Sequence, residues 1–227
     1  MVNAIGGRWM TRAQMISRRI RRNLEDYGLG ITIRKCLVYG LVYPFYRRTS
    51  CLVYRLKLNL LPQVAIPDHG PFTFRSLEPY DEITLAAVEG QTEWLKGTLS
   101  RRLVEGDLCI VALDGKNLAG FNLVSLDTLR IPLIKLERPL RRDRAWSEQI
   151  TVLPAYRHRG LAVLLRKVIA QELHKRGFKF FYGAAIVSNP ASMRLAKSAG
   201  FDPVGTITYA RFLGRERFRL QRIRSWT

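Results

Sequence analysis

From Ile150 to Ala162 the chain reads Ile-Thr-Val-Leu-Pro-Ala-Tyr-Arg-His-Arg-Gly-Leu-Ala, an apolar strand that meets a proline and turns directly into a helix start. Pro154 has no N–H to give a strand ladder, so the strand must end there. Beyond it Leu161, Leu164, Leu165, Val168, Ile169, Ala170 and Leu173 recur with helical period until Gly177, which predicts a helix over 160–176 with one apolar stripe. A helix N-terminus leaves about four N–H groups unpartnered and carries partial positive charge, so it is ready to hold a phosphate. Gly160 allows close approach to the backbone, Ala162 keeps the helix entry close to its neighbours, and Arg157 and Arg159 add cationic charge. Read alone, the stretch also fits an ordinary strand-to-helix turn with surface arginines.

The surrounding pattern predicts alternating strands and helices. Phe72–Arg75 alternates as a strand, residues 79–104 carry helical signals including the face Leu95, Leu99 and Leu103, and Leu108–Leu113 is an apolar strand. Asp114-Gly115-Lys116-Asn117 has hairpin-turn chemistry and Leu118–Leu126 reads as the returning strand. Ala145–Leu153 and Phe178–Val187 follow as strands, Ala191–Ala199 as a short helix ended by Gly200, and the last segment as one or two more strands. The class is α/β with a mixed sheet.

A second constellation, Asn189-Pro190-Ala191-Ser192, opens the short helix, where Asn189 and Ser192 are natural capping residues. Together the pieces Val152-Leu153-Pro154, Arg157-His158-Arg159-Gly160-Leu161-Ala162, Asn189-Pro190-Ala191-Ser192 and Gly200-Phe201 resemble the GCN5-related N-acetyltransferase (GNAT) superfamily over about residues 72–214. The resemblance implies a mixed, mostly antiparallel sheet flanked by helices, and acyl transfer from acetyl-CoA to an amine without a metal. It assigns the coenzyme A pyrophosphate to the amides around Arg159, Gly160, Leu161 and Ala162, with Arg157 and His158 in the same loop. Val152 and Leu153 end the strand along which pantetheine lies, and the Val152 amide would bind the thioester carbonyl and the oxyanion that forms from it. Asn189 would contact the pantetheine arm, with Ser192 nearby.

Glu148 is the candidate general base, four residues before Val152 and expected on the same strand face as Ile150 and Val152; a solvated strand glutamate is the alternative. One position departs from the family pattern. Where many relatives carry a tyrosine that protonates the leaving thiolate, this chain has Ala196, which leaves water, another tyrosine such as Tyr209, or no acid.

The formal charge is +20, and it sits at the ends: residues 1–60 hold twelve Lys and Arg against two acids, residues 61–142 ten against eleven, and residues 143–227 sixteen against five. Such a balance suits an anionic partner, whether cofactor phosphate, nucleic acid or membrane. Trp9, Ala13, Ile16, Ile20, Leu24 and Tyr27 form one face of a predicted amphipathic helix rich in arginine, and the apolar run 36–46 is too short to span a bilayer. Residues 1–70 are therefore expected to be a basic helical extension, either packed on the core or docked through residues 8–48 on an anionic membrane. A transit peptide is a third reading. The breakers Pro62, Pro67, Gly70 and Pro71 place the entrance of the acyltransferase domain at 71, leaving 71–227 as that domain.

Three scattered cysteines and three scattered histidines predict a reducing, cytoplasmic setting, with peripheral membrane contact as a variant, and no metal site. The aromatic residues form no base-stacking platform, which disfavours nucleic acid. Two alternatives to an acetyltransferase stand beside it: a longer-chain acyltransferase at a membrane, and a non-catalytic basic binding module on the same fold.

Overall fold

The structure, a computed structural model, describes residues 46–60, 70–134, 136–213 and 215–222, with isolated positions between 24 and 33. The expected amphipathic helix of the first thirty residues and the apolar run 36–46 lie, apart from single positions, outside the described residues. Among the described residues no helix is long and apolar enough to cross a membrane.

In chain order the elements are β1 (Tyr46–Lys57), β2 (Phe72–Ser76), α1 (Glu82–Glu89), α2 (Leu99–Val104), β3 (Leu108–Asp114) and β4 (Asn117–Ser125). There follow β5 (Thr128–Ile131), β6 (Leu136–Pro139), β7 (Arg144–Val152), α3 (Leu161–Lys175), β8 (Phe180–Ile186), α4 (Pro190–Ser198), β9 (Asp202–Phe212) and β10 (Arg215–Arg222). Residues Thr49–Thr208 with Arg219–Thr227 form one compact unit, while Tyr209–Phe218 falls to another. In that second unit the Tyr209 hydroxyl donates to Glu216 Oε1 at 2.9 Å and its ring lies 5.2 Å from Phe218.

Within the larger unit the strand order is β9-β1-β8-β7-β4-β3-β2, with β9 counted to Thr208. The pairs β2/β3, β3/β4, β4/β7 and β1/β8 are antiparallel and β7/β8 is parallel. The sheet is thus mixed and mostly antiparallel, as expected. Next to the edge strand β2 lies the β3–β4 hairpin, whose residues from Leu108 to Ala112 are buried on both faces. The two strands join through Gly115-Lys116, and Gly115 supplies the positive φ (59°) that the first position of a two-residue hairpin turn requires.

Helices cover both faces. The apolar stripe of α3, Leu161, Leu165, Ile169 and Leu173, is buried against Ile110, Ala112, Ala145 and Phe181. Burying each such leucine contributes about 2 kcal/mol. On the opposite face Leu85, Val88, Leu95 and Leu99 close over Cys109, Val111, Phe121 and Leu123. Burial pushes the Cys109 thiol up to about 12, so it behaves as an apolar core residue.

The helical signals at 79–104 resolve into two short helices. Gly97 (φ 67°) turns the chain between them, and the Glu89 carboxylate accepts from Gly97 N and Leu99 N at 2.9 and 3.0 Å, capping the second helix with a side chain from the end of the first. The small β5–β6 hairpin was not foreseen.

The largest departure is β1. Residues 46–57 lie inside the segment read as a helical extension, yet Cys51–Lys57 pair with Ile186–Phe180 across the sheet. Cys51, Val53, Tyr54 and Leu56 are buried there. The entry of the chain into the sheet therefore precedes residue 71. The physical reason is that Arg48–Lys57 carries only flanking and single interior charges around the β-favouring core Cys51-Leu-Val-Tyr, and a buried slot beside β8 outweighs a weak local signal.

Candidate functional site

The parallel pair β7/β8 is in register only from Arg144–Phe180 to Ser147–Gly183. Beyond that point the strands part, and the sequence explains where. Opposite β4, Leu123 faces Gln149 and Val124 faces Ser147, so Glu148 is the extra residue of a β-bulge. A bulge bends its strand and sharpens its twist, and β7 leaves β8 at that residue. The opening between them is a cleft of about 200 Å³ lined by Ser147–Ile150, Gly183–Ile186, Asn189, Ser192 and, from neighbouring elements, Tyr54, Arg166, Ala196 and Phe201.

The bulge also corrects the expected placement of Glu148. Ile150 and Val152 pack with the α3-side core, but the Glu148 carboxylate reaches the other face, where Oε2 accepts from Arg102 Nη2 at 2.7 Å and Oε1 from Arg130 Nη1 at 3.2 Å. Asp107 Oδ2 accepts from Arg102 Nε at 2.8 Å and lies 3.4 Å from Arg130 Nη1. Two guanidiniums and two carboxylates thus compensate one another out of water. The Glu148 side chain is fully shut from solvent; this burial raises its pKa above the ordinary carboxylate range, against the downward pull of Arg102 and Arg130.

At the mouth of the cleft, Leu153 N donates to Ala119 O at 2.9 Å. Backbone groups of successive strand residues point to opposite edges, so those of Val152 point away from β4, to the edge that β8 has left. Arg157 Nε takes the Val152 carbonyl at 3.2 Å, which leaves the Val152 N–H as the group directed at the opening.

The loop that follows carries His158 and Gly160 in the left-handed region (φ 62° and 73°) on either side of Arg159. Alternation of this kind turns successive N–H groups to one side and makes a concavity for anions. Gly160 caps α3 with no side-chain hydrogen bond, so no side chain competes for the first amides of the helix. Leu161 is buried and only its N–H is on offer. Arg157, His158 and Arg159 are all exposed or nearly so around those amides. On α4, Asn189 Oδ1 accepts from Ser192 N at 3.1 Å, so the pair caps its own helix while bordering the cleft.

Of the residues singled out in the sequence, Glu148, Asn189 and Ser192 line the cleft, while Val152 to Ala162 run from the end of β7 to the start of α3. Tyr209 belongs to the second unit, where its hydroxyl donates to Glu216 Oε1. Two cleft residues escaped the sequence reading. Tyr54 sat in the presumed extension. Arg166 carries a sequence signal: three, four and seven residues before Ile169, Ala170 and Leu173, it falls on the apolar face of α3, where an arginine is out of place. Among the described residues no group of three or more His, Cys, Asp or Glu side chains is placed to hold a metal ion.

A split parallel pair with an uncapped, glycine-led helix at its mouth defines the class of acyltransferase folds built on a mixed sheet. The profile of the Acetyltransferase (GNAT) family matches residues 72–201, and the chain belongs to that family. Among solved structures, it is similar to a protein from Novosphingobium aromaticivorans assigned to the GNAT family, with 26% identity over 76% of this chain and 68% of that one and a TM-score of 0.52. It is also similar to a GCN5-related N-acetyltransferase from Sphaerobacter thermophilus, with 20% identity over 85% and 56% and a TM-score of 0.52. A third is the glucosamine N-acetyltransferase region of a fungal multi-domain β-N-acetylglucosaminidase, with 16% identity over 79% and 23% and a TM-score of 0.55. The chain spans little more than half the length of the Sphaerobacter protein. A search of the curated proteins found no match.

Proposed function

We propose that the chain is an acyl-CoA-dependent N-acyltransferase that passes an acyl group, acetyl in the simplest case, to an amine of a small molecule or amino sugar by direct attack. The observation that carries this reading is the parting of β7 and β8 at the Glu148 bulge, in a strand that leads through Pro154 to the glycine-led start of α3.

The residues fit an acyl-CoA substrate. Amides of Arg159, Gly160, Leu161 and Ala162, with Arg157 and His158 beside them, hold the pyrophosphate, and Leu153, Asn189 and Ser192 flank the pantetheine arm. The Val152 N–H receives the thioester carbonyl and stabilises the oxyanion formed when the amine nitrogen attacks. The C–N bond forms, the C–S bond breaks, and the sulfur leaves as thiolate. Glu148, its basicity raised by burial, accepts the amine proton. Of the hydroxyls lining the cleft, on Tyr54, Ser147 and Ser192, only a phenol, with an ordinary pKa near 10, is acidic enough to match a thiol; Tyr54 returns a proton to the thiolate in place of the side chain that Ala196 lacks. A non-catalytic acyl-CoA binder on this fold is the second reading, favoured by Ala196 at the cleft wall.

Saturating acetyl-CoA at a hundred times its Kd should stabilise the protein by about 2.7 kcal/mol, read as a rise in thermal midpoint. Gly160→Val places a β-branched residue at φ 73°, where it is strained, and should abolish most of that rise. No shift with any acyl-CoA in the wild type would sink the proposal, and a shift without turnover on any amine would favour the second reading.

A further inference from the structure

Arg166 lies on α3, five residues past Leu161, so roughly 7–8 Å along the helix from the amides at its mouth. It lines the deep end of the cleft, beside the last paired residues of β7 and β8. Its Nη1 and Nη2 lie 3.6 and 3.7 Å from where a Cβ on Gly183 would sit, so the guanidinium rests against the Gly183 backbone. The rings of Phe181 and Phe201, themselves 5.3 Å apart, both lie beside it, 5.5 and 5.4 Å from its central carbon.

Aromatic faces attract the cation but accept none of its directional N–H bonds in the guanidinium plane. Nε and Nη1 are cut off from solvent and, among the described residues, have no hydrogen-bond partner. No charged neighbour offsets the burial, which pushes the Arg166 pKa down to about 10 and leaves the group charged at neutral pH. Nearby, the Ser147 hydroxyl is bound to Asn122 Oδ1 at 3.0 Å, while Asn122 Nδ2 is a second buried donor without an acceptor. A half-buried cation with two donors shut from water and unpaired is unfavourable, and a carboxylate is the group that answers a guanidinium's fork of donors.

We propose that Arg166 receives a carboxylate at the far end of the donor's acyl group, so that the preferred donor is a short dicarboxylic acyl-CoA such as malonyl- or succinyl-CoA. This rests on the acyltransferase reading: with the pyrophosphate at the start of α3, the cleft that Arg166 lines, toward Ser147 and Gly183, receives the acyl end of the donor. A carboxylate on the amine acceptor carries the same chemistry, and the test separates the two sources.

Dissociation constants of acetyl-, malonyl- and succinyl-CoA are measured by calorimetry with no acceptor present, for the wild type and Arg166→Met. The wild type should bind at least one dicarboxylic thioester about ten- to a hundredfold more tightly than acetyl-CoA, the range of a charge-assisted hydrogen bond. In Arg166→Met that ratio should fall to near one, and the unliganded variant should have a thermal midpoint at or above the wild type's, since an uncompensated charge has been removed. Equal wild-type affinities, or a preference that survives in Arg166→Met, would overturn the assignment to the donor, and equal affinities with inhibition only by carboxylate-bearing amines would move the carboxylate to the acceptor. Failure of all three thioesters to bind would remove the acyltransferase reading itself.

Discussion

Tyr54 owes its place at the cleft to pairing with Gly183 across β1/β8, and burial raises its pKa, so its phenol stays protonated through neutral pH. If it returns the proton to the departing thiolate, Tyr54→Phe should lower kcat by about a hundredfold with little change in KM for the donor. A kcat within threefold of wild type would assign the tyrosine to packing alone. Glu148 allows a pH argument with a definite sign. Its folded pKa is raised, so between the unfolded and folded values the native state binds the extra proton, and stability falls as pH rises through that window. The stability of wild type relative to Glu148→Gln should therefore be greatest at low pH and decline as pH rises above the ordinary carboxylate range. Thermal midpoints of both proteins from pH 4 to 8 test this, and a difference constant across the series would rule it out. Neither the ion-pair partners of Glu148 nor its strand face was legible beforehand. The strand period places it with Ile150, and one inserted bulge residue reverses that.

At the scale of elements, the contact of β4 with β7 is held close by a missing side chain. A Cβ on Gly120 would lie 2.7 Å from Thr151 O and 3.3 Å from Leu165 Cδ1. The backbone oxygen cannot move without shifting the end of β7, so Gly120→Ala should destabilise the protein by about 1–3 kcal/mol in urea unfolding and weaken acyl-CoA binding together with it. A loss of under about 0.5 kcal/mol would show that β4 and β7 separate there freely. The elements with strong local signals, the β3–β4 hairpin, α3 and α4, stand where their turn residues, apolar stripe and cap put them. The region 79–104 was harder to divide, because its second helix is capped by Glu89, which reaches it from the end of the first.

Over the whole molecule, the sequence by itself determined the alternation of strands and helices, the break at Pro154, the helix mouth at Gly160 and the strong positive charge, since each is written in neighbouring residues through dihedral preference, period or composition. The resemblance carried by the motifs at 152–162, 189–192 and 200–201 pointed to the family to which the chain belongs. What only the tertiary structure decided were the position of β1 between β8 and β9, the reach of Glu148 to Arg102 and Arg130, and the burial of Arg166 without an anion. Each of these depends on partners far away in the chain. A strand's neighbour, a carboxylate's counter-ion and a guanidinium's lack of one are properties of packing, and they arise only when segments with no sequence proximity are brought to the same few ångströms.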